Sequence, residues 1–421
     1  MRPALPSTPK WLLRLVVVTA LVGVGSGIGG ALVYLALHGI QHLAFGYTEG
    51  SFIDGLLLSS PVNRVVSLTI AGVLGAVGWW ALRRWGRRRP EVAVVSVEAA
   101  VEGKRMPWFT TLANAALQVI IVGLGASIGR EVAPREVGAL VASWLSDKAG
   151  VSARERRVLV ACGAGAGLAA VYNVPLGGAV FAVEILLAEM SFATLIPALV
   201  TSAIAALVAR LVVPSTPLYP IPQFPLSPSV VVWSILAGPI VGFAAVGFVR
   251  LVKVAQNHRP RSWGILVAMP LVFAGVGVLS IWFPAILGNG RSLGQIAFTA
   301  SLPVLLIVAL LVFKVVATVG TIGVGAAGGT LTPSLAIGAA FGLAVGALWN
   351  LVWPGAPVGV FALIGAAAFL AVTMRAPLTA LLLVMEFTNQ GAAMLAPVML
   401  CVAGAVAVGY VLERARVTGV D

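Results

Sequence analysis

GLGASIGREVAPREVG, residues 123–138, places four ionisable side chains, Arg130, Glu131, Arg135 and Glu136, beside a run of glycines. In a water-soluble chain this would be a polar surface loop. The rest of the chain removes that reading. Of its 421 residues 60% are hydrophobic and only 10% charged, against roughly 25% in soluble domains. Mean hydropathy is +1.04. So few charges cannot clothe a protein of this size in a water-facing surface, and lipid is the solvent for most of it.

Long uncharged runs give the architecture. None of Asp, Glu, Lys or Arg lies between Arg14 and Glu49, or between Arg210 and Arg250. Between Lys314 and Arg375 sixty residues pass without one. A bilayer core needs about 20 helical residues to cross, so that run admits up to three passes. The alternating segments of about 10 residues that mark a transmembrane β-barrel are missing. The chain reads as an all-α polytopic membrane protein. Its first apolar run, from Trp11, outlasts a signal-peptide core and is expected to stay as a transmembrane helix.

The net charge of +13 comes from basic residues scattered in short loops such as RRWGRRR, 83–89. This is the positive-inside bias, not the basic face of a nucleic-acid binder, so no nucleic-acid partner is expected. Arg2, Lys10 and Arg14 place the N-terminus in the cytoplasm. Arginine far outnumbers lysine, 22 against five, which fits a GC-rich genome and a bacterial inner membrane. Cys162 and Cys401 lie in apolar segments and read as buried small residues. His38 and His42 share a helical face without a third ligand at metal spacing. No metal, cofactor or catalytic residue is expected, and an intramembrane enzyme, which needs convergent acids or a nucleophile–base pair, is a remote alternative.

The proline-rich stretch VPSTPLYPIPQFPLSPS, 213–229, divides the chain into halves of roughly 11–212 and 230–412. GAGAGLAAVYNVPLGGAVFAVE (163–184) and GAAAFLAVTMRAPLTALLLVME (365–386) align without a gap. They share Pro175/Pro377, Leu176/Leu378 and Glu184/Glu386. GASIGREVAP (125–134) and GAAGGTLTP (325–333) form a second pair in the same order. Each is glycine-rich and ends in a proline suited to the first turn of a helix. The expected fold is an inverted internal repeat whose broken helices meet at the membrane midplane. A helix that starts there points free N–H groups and a positive dipole end at the centre, an anion site in the making. Glu131, on the break itself, is a functional candidate by position.

These motifs resemble those of the CLC chloride channel and transporter family. GREVAP (129–134) is similar to its GREGP motif, GGTLTP (328–333) to GxFxP, and 163–184 to its GLAAAFNAPLAGxxFxxE signature. The resemblance spans about residues 20–410. It implies one transmembrane domain over 1–421 and a homodimer in the lipid bilayer, each subunit carrying its own pathway for chloride or a similar small anion. It makes Glu131 the gate. Backbone N–H groups around Arg130, Glu131 and Val132, and at Thr330 and Leu331, would line the anion site.

The sequence departs from the family at four places. Val132 and Ala133 replace Gly-Pro, with proline moved to Pro134. The family's GSGIP serine has no clear counterpart; Ser96 is the candidate. The C-terminal tyrosine ligand is not matched, Tyr410 falling too early, and no C-terminal regulatory domain is expected. Where exchangers carry a second consecutive glutamate for proton relay, Ile185 follows Glu184. The expectation is therefore gated chloride transport, channel-like or weakly coupled to protons. A chloride/proton antiporter is the alternative.

Overall fold

The structure, a computed structural model, describes residues 9–48, 50–260 and 262–417; Arg2 lies outside them. All secondary structure among them is helical, apart from a single β-bridge. In the first half run α1 (Pro9–Phe45), α2 (Phe52–Leu58), α3 (Pro61–Arg88), α4 (Val97–Val101) and α5 (Trp108–Gly123). There follow α6 (Val132–Ala149), α7 (Ala153–Tyr172), α8 (Pro175–Phe181) and α9 (Phe192–Ala209). After the proline-rich linker come α10 (Pro228–Asn257), α11 (Ile265–Leu279), α12 (Arg291–Thr299) and α13 (Val304–Gly323). The chain continues through α14 (Leu331–Trp349), α15 (Val358–Met374), α16 (Pro377–Thr388) and α17 (Leu395–Val417). Eight helices of the described residues are long and apolar enough to cross a membrane. The protein is a polytopic helical membrane protein.

The chain forms two compact units. One gathers Gly86–Ala115, Ala133–Ser215 and the chain up to Leu35; the other gathers Ala36–Trp85, Ala116–Val132 and the chain from Thr216. The sequence repeat reappears as local geometry. Asn173 and Arg375 end α7 and α15 in the left-handed region, at φ 55° and 54°. Val174 and Ala376 follow at φ −126° and −142°, each before the proline that opens α8 or α16. A residue before proline is kept out of the helical region by the ring, so the break recurs where the proline does. Gly125 and Gly325 likewise leave α5 and α13 at φ 103° and 94°.

Packing repeats too. In the first unit a Cβ on Gly23 or Gly27 of α1 would strike Thr201 and Ile204, or Ala205 and Val208, of α9. In the second, Gly238 and Gly242 of α10 stand in the same way against Cys401 and Gly404, and Ala405 and Val408, of α17. Small residues let the backbones of membrane helices approach closely, since lipid gives no hydrophobic drive to pack them. The proline that ends each glycine-rich motif, Pro134 or Pro333, is the third residue of α6 or α14. That is inside the first turn, where the missing N–H has no helical partner to lose. Cys162 and Cys401 are buried and free.

Close crossing makes a testable demand. A Cβ at Gly138 on α6 would collide with the Gly163 carbonyl of α7, whereas one at Gly39 on α1 meets nothing within 4 Å. Gly138→Ala is expected to destabilise the folded protein by about 1–3 kcal/mol through overpacking. Gly39→Ala is expected to be neutral or to stabilise by about 0.5–1 kcal/mol through helix propensity. Thermal unfolding of both variants in detergent measures the difference.

Candidate functional site

A helix that stops inside an apolar medium strands its last carbonyls and the next helix's first N–H groups. At the first break, Ser67 Oγ donates to the Leu124 carbonyl at 3.0 Å, and the Gly288 N–H donates to Gly125 O at 2.8 Å. The Gly288 turn is itself anchored by Lys314. That fully buried ammonium donates to Ile286 O at 2.8 Å and Gly288 O at 2.7 Å. At the second break, Arg83 Nη2 donates to Gly325 O at 2.7 Å and Arg259 Nε to Ile322 O at 3.1 Å. Ser127 and Thr318 hydroxyls meet at 3.1 Å between the two segments. The carbonyls freed at the glycine breaks are thus taken up by donors from elsewhere in the fold.

Between them lies the β-bridge. Gly129 and Gly329, repeat equivalents, exchange both backbone bonds: Gly129 N–H to Gly329 O at 2.8 Å and the reverse at 3.1 Å. The pairing is antiparallel, so equivalent residues are related by a local two-fold axis. Here the two glycine motifs of the repeat meet backbone to backbone.

Glu131 sits against that bridge, 1% exposed. Its Oε1 accepts the backbone N–H of Leu331 at 2.7 Å, and its Oε2 accepts the Thr332 hydroxyl at 3.2 Å. Leu331 is the first residue of α14. The carboxylate therefore occupies the positive end of a helix, where an anion is favoured by the free donors and the dipole together. Its walls are glycine for a steric reason. A Cβ on Gly329 would overlap Glu131 Oε1, and one on Gly129 would overlap both carboxylate oxygens.

Other expected site residues fall as follows. Arg130 is buried at 6% exposure and Val132, half-buried, opens α6. Thr330 is the half-buried N-cap residue of α14, and its side chain makes no cap bond. Ser96 is exposed and caps α4, its hydroxyl accepting the Ala99 N–H at 3.3 Å. The remaining charges of the opening stretch have duties within the first unit. Arg135 lies over the Phe181 ring at 5.1 Å, and the Asn114 amide donates to both Glu136 oxygens at 2.8 and 3.0 Å. His42 stacks on Tyr47 with ring centroids 4.4 Å apart.

Two participants escaped the sequence reading. Thr332 carries a hydroxyl to the carboxylate, and only its place as a polar residue within an apolar motif hinted at it. Lys314 borders the long uncharged run, and a lone lysine amid some eighty uncharged positions is the available signal. A third finding concerns Glu184 and Ile185, both half-buried in a π-helical turn, Ala182–Leu187, that extends α8. The second half has a regular α-helix there. Counted from the prolines, Glu184 matches Glu386; counted from the left-handed caps Ala188 and Asn389, Ile185 does.

A helical membrane protein with an inverted glycine-break pair and an anion held on a helix start is an anion-transport architecture. The sequence profile described as "Voltage gated chloride channel" matches residues 73–410, and the chain belongs to that family. Curated relatives include the "Voltage-gated ClC-type chloride channel ClcB" of Citrobacter koseri, 29% identical over 377 residues, covering 86% of this chain and 89% of that protein. The "H(+)/Cl(-) exchange transporter ClcA" of Vibrio parahaemolyticus is 29% identical over 419 residues, covering 96% and 88%. Among solved structures, a slow cyanobacterial Cl⁻/H⁺ antiporter superposes with TM-score 0.81 at 22% identity, covering 95% of each chain. A CLC-type fluoride/proton antiporter gives 0.75 at 20% identity, covering 96% of this chain and 97% of its own. The fold is shared with these antiporters.

The glycine walls generate a double-mutant test. Gly329→Ala is expected to lower the unfolding temperature while Glu131 is present, because the methyl group and the carboxylate claim the same space. In a Glu131→Ala background most of that cost should vanish, a coupling that distant, independent sites do not show. Equal costs in both backgrounds would mean that the carboxylate does not rest on Gly329.

Proposed function

We propose that this protein carries chloride across the membrane through a pathway gated by Glu131. The observation that carries the reading is the carboxylate on the Leu331 N–H at the start of α14. A site that holds a carboxylate there, with neutral backbone and hydroxyl donors, suits chloride for the same reason. Such donors replace part of an anion's hydration without holding it so tightly that it cannot leave. Glu131 and chloride then compete for one seat, and protonating the carboxylate or displacing it opens the way. The backbone at Arg130, Glu131, Val132 and Thr330 belongs to the same proposal. Ser96 stays a candidate ligand because a hydroxyl that accepts a cap bond keeps its hydrogen for an anion. A homodimer, a cytoplasmic N-terminus and a bacterial inner membrane complete the reading, supported by family membership and the positions of the basic residues.

The test is chloride efflux from loaded liposomes with a potassium shunt, measured across pH. Wild-type protein is expected to pass chloride well above empty vesicles and faster as pH falls. Glu131→Gln removes the competing charge, so its flux should be high and nearly flat with pH. An unchanged profile in that variant would make Glu131 structural.

Two relatives differ in name, a chloride channel in one case and an H(+)/Cl(-) exchange transporter in the other. We infer weak or absent proton coupling here. A buried titratable group is the usual relay for a proton in a membrane, and Ile185 cannot bind one. The π turn leaves Glu184 beside it as the alternative carrier. A chloride gradient is therefore expected to drive little uphill proton movement. Robust proton pumping that disappears in Glu131→Gln would establish the antiporter instead and direct attention to Glu184.

A further inference from the structure

The repeat is imperfect in one place. In the first unit Tyr34 packs on a buried apolar cluster that includes Ala170, Ala209 and Val213. The matching glycine contacts of α1 on α9 and of α10 on α17 set the register between the units' internal packing. In that register Val249, Gly409 and Glu413 correspond to Tyr34, Ala209 and Val213, and the ungapped repeat of 163–184 on 365–386 sets Val372 in the place of Ala170. All four line a cavity of about 230 Å³. Valine is too short to fill the place of a tyrosine, and a glutamate cannot be buried as the valine is. Glu413 instead pairs with Arg375 on the cavity rim.

The rim is basic. Arg250 and Lys253 line the same cavity, both exposed, three apart on one face of α10. Among the described residues neither makes an ion pair or a hydrogen bond. With Arg375 offset by Glu413, two positive charges stand uncompensated. Their neighbours are apolar and open: Leu251 is 50% exposed and Val254 54%. On α17, Tyr410 is 64% exposed and Val411 62%, just before Glu413 and Arg414. Exposed aromatic and aliphatic residues giving way to charge at a helix end mark the membrane–water boundary. The cavity lies at that depth, with apolar walls and a cationic lip.

We propose that the cavity between α10, α15 and α17 binds an anionic glycerophospholipid. Its phosphate lies on Arg250 and Lys253, and part of one acyl chain lies against Val246, Val372 and Val406. Basic clefts between membrane helices attract acidic headgroups. A small hydrated anion would have no use for the apolar wall. A zwitterionic lipid brings its own cation against the arginine and lysine. The proposal does not rest on the gate and stands whether or not Glu131 controls chloride.

The experiment uses the full chain purified in detergent. Dioleoyl phosphatidylglycerol and dioleoyl phosphatidylcholine are titrated separately, and bound lipid is counted by native mass spectrometry. Phosphatidylglycerol is expected to bind roughly tenfold more tightly. R250Q/K253Q should lose that preference, while R250K/K253R, which keeps both charges, should retain it. V249Y restores the aromatic side chain of the first unit and keeps both cations; it should reduce phosphatidylglycerol binding by closing the cavity. Equal binding of the two lipids to the wild-type chain would overturn the proposal. So would a preference that survives in R250Q/K253Q, or phosphatidylglycerol binding undiminished in V249Y. Displacement of the lipid by equimolar glycerol 1-phosphate would replace it with a site for a soluble phosphate.

Discussion

Everything at the centre of this protein follows from one constraint: backbone polar groups released inside an apolar medium must find partners. An unbroken helix meets the constraint by itself. Helices α5 and α13 stop short of that solution, and their freed carbonyls are taken up by Ser67, Arg83, Arg259 and the Gly288 turn that Lys314 anchors. With the carbonyl ends satisfied, the N–H at the start of α14 is left without a partner in its own helix. Its partner in the structure is the Glu131 carboxylate. A seat for a carboxylate is what remains when the acceptors of a break are bound and a donor is left over.

Glycine matters here as absence of volume more than as freedom of backbone. Gly129 and Gly329 pair through both their N–H and C=O groups, which brings the two breaks within hydrogen-bond distance. The same two residues then form the walls on which the Glu131 carboxylate rests. Any side chain at either position would push the carboxylate from the Leu331 N–H. Bridge, walls and carboxylate are one arrangement, and the repeat supplies both of its sides.

The repeat also shows how a duplicated framework diverges. Proline-directed breaks and glycine crossings are retained in both halves because a larger residue would collide with a neighbouring backbone. Places without that pressure have drifted. Tyr34 closes the first unit where Val249 leaves the second open. A π turn lengthens the helix that carries Glu184, while its counterpart carrying Glu386 is regular. Asn114 binds Glu136 in one half, and Lys314 binds carbonyls in the other.

The sequence by itself determined the solvent, the helical class, the repeat and the place of the breaks. Those depend on local properties: charge-free runs long enough to cross a bilayer, glycines beside a proline, and Asn173 or Arg375 just ahead of an X-Pro step. It also singled out Glu131, because a carboxylate on a glycine break has no water to explain it. Tertiary structure decided what Glu131 touches. Leu331 and Thr332 lie some two hundred residues away, and no spacing rule reveals that the second hydroxyl rather than that of Thr330 reaches the carboxylate. It decided the fate of Lys314, whose ammonium is buried only because two carbonyls of a distant turn converge on it. It decided the cavity beside Arg250 as well, since a void is the joint property of several helices and appears in the residue string of none.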